Sequence, residues 1–142
     1  MMDLIITGLM VFFGFSIGAT MPDIDLAPPL PIRHRSLWTH GPTFALIALW
    51  IAALYPQTWP FWAAFLPGLI IHLVKDMFPK HWAGGALIKF YPFKGNFGPS
   101  ASFVFLGLGV ISAAWVFTTL PVWGVIDKLL AFVGGILVGF GV

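Results

Sequence analysis

The sequence predicts an all-α fold, an integral membrane bundle of four to five transmembrane helices, on three observations. Apolar residues make up 59% of the 142-residue chain and charged residues only 8%, which leaves too little polar surface for a water-soluble domain of this size. Mean hydropathy is +0.96. Apolar runs, several close to the roughly 20 residues needed to cross a hydrocarbon core, alternate with breaks rich in Pro and Gly. The whole of 1–142 therefore reads as a single transmembrane domain.

The first span is Leu4–Met21, apolar throughout and ended by Pro22. Gly14 and Gly18 stand four residues apart, the spacing that lets two helices approach closely. No basic region or small-residue cleavage site marks this segment as a signal peptide, so it reads as retained. The segment Asp23–Gly41 contains Pro28, Pro29 and Pro31, which favour an extended path. The second span runs from about Pro42 to Tyr55 and is short, with a possible start near Leu37. Pro56-Gln57-Thr58 is a turn into the third span, Trp59–Phe78, which Pro67 and Gly68 are expected to kink. Lys80–Pro99 is an aromatic and lysine-rich loop, and its stretch Ala86–Tyr91 is expected to lie in the membrane interface. Ser100 is a candidate N-cap for the fourth span, which ends at Leu120. Val122–Val142 reads as a fifth span, with a half-inserted helix as the alternative.

If five spans alternate, Asp23–Gly41 and Lys80–Pro99 fall on one side of the membrane. Arg33, Arg35, Lys75, Lys80, Lys89 and Lys94 accompany that side and Lys128 the other. The positive-inside rule then makes that side cytoplasmic and places the N-terminus outside. A net charge of +2 is too small to argue for nucleic acid. The chain contains no Cys, which excludes disulfides, thiolate zinc sites and iron–sulfur clusters.

Against this background the ionisable residues stand out. Asp23, Asp25, His34, His40, His72, Asp76 and His81 lie in or beside the spans. An Asp at mid-helix costs roughly 2.5–3.5 kcal/mol on membrane insertion scales. Asp and His together are ligand types for a divalent metal. His72 and Asp76 are four residues apart and share a helix face. The competing reading gives His72 a backbone carbonyl and Asp76 a basic partner such as Lys75. Asp23 and Asp25 follow Pro22 directly, where a turn could aim both carboxylates at one cation; alternatively they only terminate the helix. Thr39 or Gly41 could begin span two, placing His40 at a helix N-terminus. Arg33 and Arg35 could hold a phosphate or carboxylate in bidentate fashion, or grip anionic lipid headgroups. His81 and the loop lysines are the weaker candidates.

The ordered clusters are Gly18-x-x-x-Pro22-Asp23-Ile24-Asp25, His34-Arg35 to Thr39-His40-Gly41, Gly68-x-x-x-His72-x-x-x-Asp76, and Gly84 to Pro92. Together they resemble the bacterial YdjM-type family of LexA-regulated, membrane-bound metal-dependent hydrolases, over about residues 10–95. The His-x-x-x-Asp element is also similar to one in zinc-dependent phospholipase C. The resemblance implies Asp23, Asp25, His40, His72 and Asp76 as metal ligands or their immediate partners, and a bacterial inner-membrane location. The chain departs from the family pattern at Leu26, where His is frequent, at Gly41, where Ser is common, and in its longer His-Arg to Thr-His spacing.

The expected cofactor is a divalent metal, zinc first and manganese or iron next. The expected reaction is hydrolysis of an ester or phosphoester, with a lipid or lipid-linked phosphate as preferred substrate. Asp25 is the candidate base and Arg35 or Arg33 the stabiliser of developing phosphoryl charge. Two other classes compete. One is a haem- or quinone-binding subunit with His40 and His72 as axial ligands. The other is an accessory subunit of a larger membrane complex or homo-oligomer, packed through its glycines and aromatic residues.

Overall fold

The computed structural model describes residues 2–26, 35–78, 87–90 and 95–120, and these are mostly helical. Helix α1 (Met2–Thr20) runs into a 3-10 turn at Met21–Leu26, a short α2 covers Leu37–His40, and α3 covers Thr43–Leu54. A 3-10 turn at Pro56–Thr58 leads to α4 (Trp59–Met77), and α5 is Pro99–Thr119. Strands β1 (Lys89–Phe90) and β2 (Gly95–Asn96) form a small antiparallel hairpin between α4 and α5. The expected fifth span, Val122–Val142, lies outside the described residues, as do His34, His81, Arg33, Lys80 and Lys94.

Glycine decides how α1 meets α4. A Cβ added at Gly14 would collide with the Phe61 carbonyl, one at Gly18 with the Phe65 carbonyl, and one at Gly68 with the Phe15 carbonyl. Both helices therefore approach to backbone contact at three points, which only a residue without a side chain permits. Gly68 serves this contact, and α4 continues as an α-helix through Pro67.

On its other face α4 buries Leu66, Leu69 and Leu73 against α5, which contributes Leu106, Ala113 and Val116. These α5 positions recur at helical spacing and so share one side. Helix α3 turns Ala45, Ala48 and Ala52 inward, all fully buried, while Leu46, Trp50 and Leu54 face out. A row of alanines lets it lie close on its neighbours.

Met2–Leu26 and Pro99–Thr119 are long and apolar enough to cross a membrane. Many of their large side chains point outward: Phe12 and Ile111 are each 66% exposed. The second expected span, from about Pro42 to Tyr55, is the single helix α3, and the earlier start near Leu37 falls in the separate α2. Pro42 supplies no backbone N–H and disfavours a helical Gly41, so Gly41 is extended and separates α2 from α3. Helix α5 begins one residue before Ser100, with Pro99 in its first turn and Gly98 as N-cap, a position proline's fixed φ favours.

The hairpin braces the end where the polar residues collect. Lys89 N–H donates to the Arg35 carbonyl at 2.8 Å, and Ser36 bridges to Lys89 as a parallel pair. Ile88, fully buried, donates its N–H to Ser102 Oγ of α5 at 2.9 Å. Lys89 and Phe90, expected in an interfacial stretch, are thus tied into the fold by pairing.

Candidate metal centre

At one end of the bundle the close of α1, all of α2 and the last turns of α4 meet. Each brings at least one ionisable side chain. The 3-10 turn holds Asp23 and Asp25, α2 ends on His40, and α4 carries His72 and Asp76 one turn apart.

His72 is fixed from behind. Its Nδ1 lies 2.9 Å from the Ala19 carbonyl, an oxygen that can only accept, so Nδ1 carries a proton and, in the neutral ring, Nε2 presents a lone pair. That Nε2 is buried and makes no hydrogen bond. It faces Asp23 Oδ1 at 3.7 Å and Asp76 Oδ2 at 3.8 Å.

His40 is fixed in the same sense. It is fully buried, with Thr39 Oγ1 2.8 Å from Nδ1. Thr39 Oγ1 lies 2.6 Å from Asp25 Oδ2 and 3.1 Å from the Ser36 carbonyl. One hydroxyl proton serves the shorter contact, so Thr39 donates to Asp25 and accepts from His40 Nδ1–H. This relay leaves the Nε2 lone pair of His40 facing inward, 3.0 Å from Asp76 Oδ2. Asp76 Oδ2 is buried there, with Arg35 Nε 3.4 Å away. Two lone-pair atoms that close repel unless a proton or a metal ion lies between them.

The buried Asp25 also accepts from the Ser36 backbone N–H at 3.4 Å and stands 3.5 Å from His40 Nδ1. It therefore sits on the far side of His40 from the lone pairs. Ser36 Oγ caps α2 by accepting from Trp38 N–H at 3.3 Å. His40 is consequently the last residue of a helix, where the sequence placed it at a first turn.

Arg35 borders the cluster. Its Nε lies 3.4 Å from Asp76 Oδ2 and its Nη2 3.5 Å from Asp76 Oδ1. Its φ of 60° is left-handed, a conformation costing about 1–2 kcal/mol in a residue with a Cβ. The Lys89 contact to its carbonyl and the burial of Ser36 hold it there.

Asp23, His40 and His72 could hold a metal ion: one ligand atom from each lies within 4.8 Å of the others. The donor chemistry fits. Two imidazole nitrogens and a carboxylate oxygen suit Zn²⁺, Mn²⁺ or Fe²⁺. Among the described residues the cluster has three carboxylates and one guanidinium, a balance that suits a cation. The outer contacts are also those of a ligand set, since each imidazole is held through Nδ1 by an oxygen. The rings of His40 and His72 are 5.5 Å apart in edge contact, which leaves no room for a porphyrin between them.

The structure therefore brings together Asp23, Asp25, Arg35, His40, His72 and Asp76. The competing reading of the helix pair also holds: His72 has a backbone carbonyl, that of Ala19, and Asp76 has a basic partner, Arg35 rather than Lys75. Which carbonyl it is, and the part played by Ser36, escaped the sequence. A main-chain oxygen has no sequence signal, and Ser36 reads only as a loop serine. Searches for similar proteins matched no family model, no curated protein and no solved structure.

Proposed function

We propose that the protein is a membrane-embedded, metal-dependent hydrolase of esters or phosphoesters. The observation that carries this reading is the convergence of Asp23, His40 and His72, with both imidazoles tied through Nδ1 and their Nε2 atoms turned inward. The resemblance of the motif order to the YdjM-type family supports it. Asp76 is the natural fourth ligand, because its buried Oδ2 lies 3.0 Å from one Nε2 atom and 3.8 Å from the other.

A bound divalent ion supplies Lewis acidity and lowers the pKa of water toward neutrality. The protein's own groups do the rest. Asp25, through Thr39, holds the His40 ring in place. The Asp23 side chain is 45% exposed against 11% for His72, so Asp23 marks the open side where substrate enters. The base role expected of Asp25 passes in this reading to the outer oxygen of Asp23. Arg35 holds Asp76 and places its guanidinium charge at the edge of the centre, where charge develops on a phosphoryl oxygen.

The membrane setting rests on the outward apolar faces. Only 11% of the apolar window in Met2–Leu26 and 28% of that in Pro99–Thr119 is buried. The core helix of a soluble protein would bury most of such a window, and exposed apolar surface on this scale calls for lipid. In this reading α3 and α4 also cross or enter the bilayer, Val122–Val142 supplies a fifth span, and the metal centre faces the cytoplasmic leaflet of a bacterial inner membrane.

The test is hydrolysis of lipid phosphoesters by detergent-purified protein. Activity that depends on added zinc or manganese and disappears in Asp23→Asn and His72→Ala supports the assignment. A confirmed hydrolysis rate that both variants retain rejects it.

A further inference from the structure

One side of the bundle carries an apolar groove between α1, α3 and α4, with a volume of about 220 Å³. Ile17, Met21, Phe44, Ile47, Phe61 and Phe65 are among its walls, and no polar surface lines it. Pockets that enclose a whole drug-sized ligand run to about 300–1,000 Å³, so this groove suits one apolar part of a larger molecule.

Its position relates it to the metal centre. Each wall lies close along the chain to a candidate ligand. Met21 precedes Asp23 by two residues, Phe44 follows His40 by four, and Phe65 precedes His72 by seven, or roughly 10 Å along a helix. From these three residues the groove runs away from the polar end, toward Ile17 on α1, Ile47 on α3 and Phe61 on α4. Ile17 and Ile47 are each 40% exposed, so the groove opens sideways onto the surface that the proposed function assigns to lipid.

We propose that this groove holds one fatty acyl chain of a glycerophospholipid whose ester or phosphoester reaches Asp23, His40 and His72. The proposal rests on the hydrolase reading and supplies its substrate class. The observations that favour a chain are the wholly apolar lining, the lateral opening and the short distance along the chain from its walls to Asp23, His40 and His72. A water-soluble phosphoester would have no use for such a wall.

The experiment uses full-length protein in phosphatidylethanolamine nanodiscs containing a small fraction of phosphatidylethanolamine with a diazirine on one acyl chain. After irradiation, labelled residues are mapped by mass spectrometry. Labelling should concentrate on Ile47, Phe61 and Phe65, several-fold above Phe12 and Ile111, although those two are each 66% exposed. Ile47→Trp, which fills the groove, should reduce groove labelling about ten-fold at unchanged metal content. Labelling that follows exposure, with Phe12 and Ile111 as strong as the groove, overturns the proposal. So does preferential labelling of the groove by a diazirine polyprenyl phosphate. The wild-type map decides even if Ile47→Trp does not fold. Groove labelling in protein that binds no metal would retire the hydrolase reading alone, whereas a metal-loaded, active enzyme without groove labelling would retire the groove alone.

Discussion

The His72 imidazole is joined to the Ala19 carbonyl at 2.9 Å, so a candidate ligand on one helix is oriented by the backbone of another. That contact exists because α1 lies on α4 with no side chain between them. Gly18, next to Ala19, sits against the Phe65 carbonyl. Helix packing and ligand geometry are therefore one structural fact.

Gly18→Ala should damage both. Its new Cβ meets backbone rather than a flexible side chain, the helices must separate, and overpacking of this kind costs about 1–3 kcal/mol. With Ala19 displaced, His72 loses its orienting contact and zinc affinity should fall about 10–100-fold. Gly8→Ala is the control, because nothing lies within 4 Å of its added Cβ. Competition with a chelator of known affinity, together with a melting curve in detergent, checks both effects. Equal behaviour of the two variants would contradict the coupling.

Asp25→Asn distinguishes an orienting residue from a ligand. If Asp25 acts through Thr39 on His40, metal binding should weaken about 10–100-fold yet still saturate. Thr39→Val should reproduce the loss. Zinc titration is the measurement, and complete loss of binding in Asp25→Asn with none in Thr39→Val would make Asp25 a direct ligand.

Arg35→Lys should separate binding from turnover. Lysine keeps a charge but not the guanidinium fork, which here spans both oxygens of Asp76. Metal content should remain near the wild-type level while hydrolysis falls on the order of 100-fold, comparable to removal of one donor that stabilises transition-state charge. Unchanged turnover would leave Arg35 a structural role only.

Ser102→Ala tests the brace beneath the centre. It leaves the buried Ile88 N–H without its acceptor, at a cost of about 1–3 kcal/mol. The melting temperature should drop, and Arg35, held by the adjoining Lys89 contact, should lose part of its effect on turnover.

Much of this was legible in the sequence because it depends on spacing along one helix. Gly14 and Gly18 announced a close approach, and His72 with Asp76 announced a shared face. What depended on contacts between segments was not legible. Gly68 reads in sequence as half of a kink, and its contact with the Phe15 carbonyl of another helix could not be read there. His40 looked like the start of a helix because Thr39 and Gly41 resemble boundary residues; Ser36 caps α2 earlier and Pro42 ends it. Arg35 carries a left-handed backbone that no arginine advertises. Asp23 and Asp25 both read as ligands, with Asp25 as the base, but a 3-10 turn leaves Asp23 partly exposed beside His72 and buries Asp25 behind His40.

The central claim is that Asp23, His40 and His72 hold a divalent metal. It is tested most directly by elemental mass spectrometry of the detergent-purified protein, wild type beside Asp23→Asn, His72→Ala and the control Gly8→Ala. Close to one zinc, manganese or iron per chain is expected in the wild type and the control, and little in the other two variants. Wild-type protein that stays metal-free after incubation with each ion and gel filtration would contradict it.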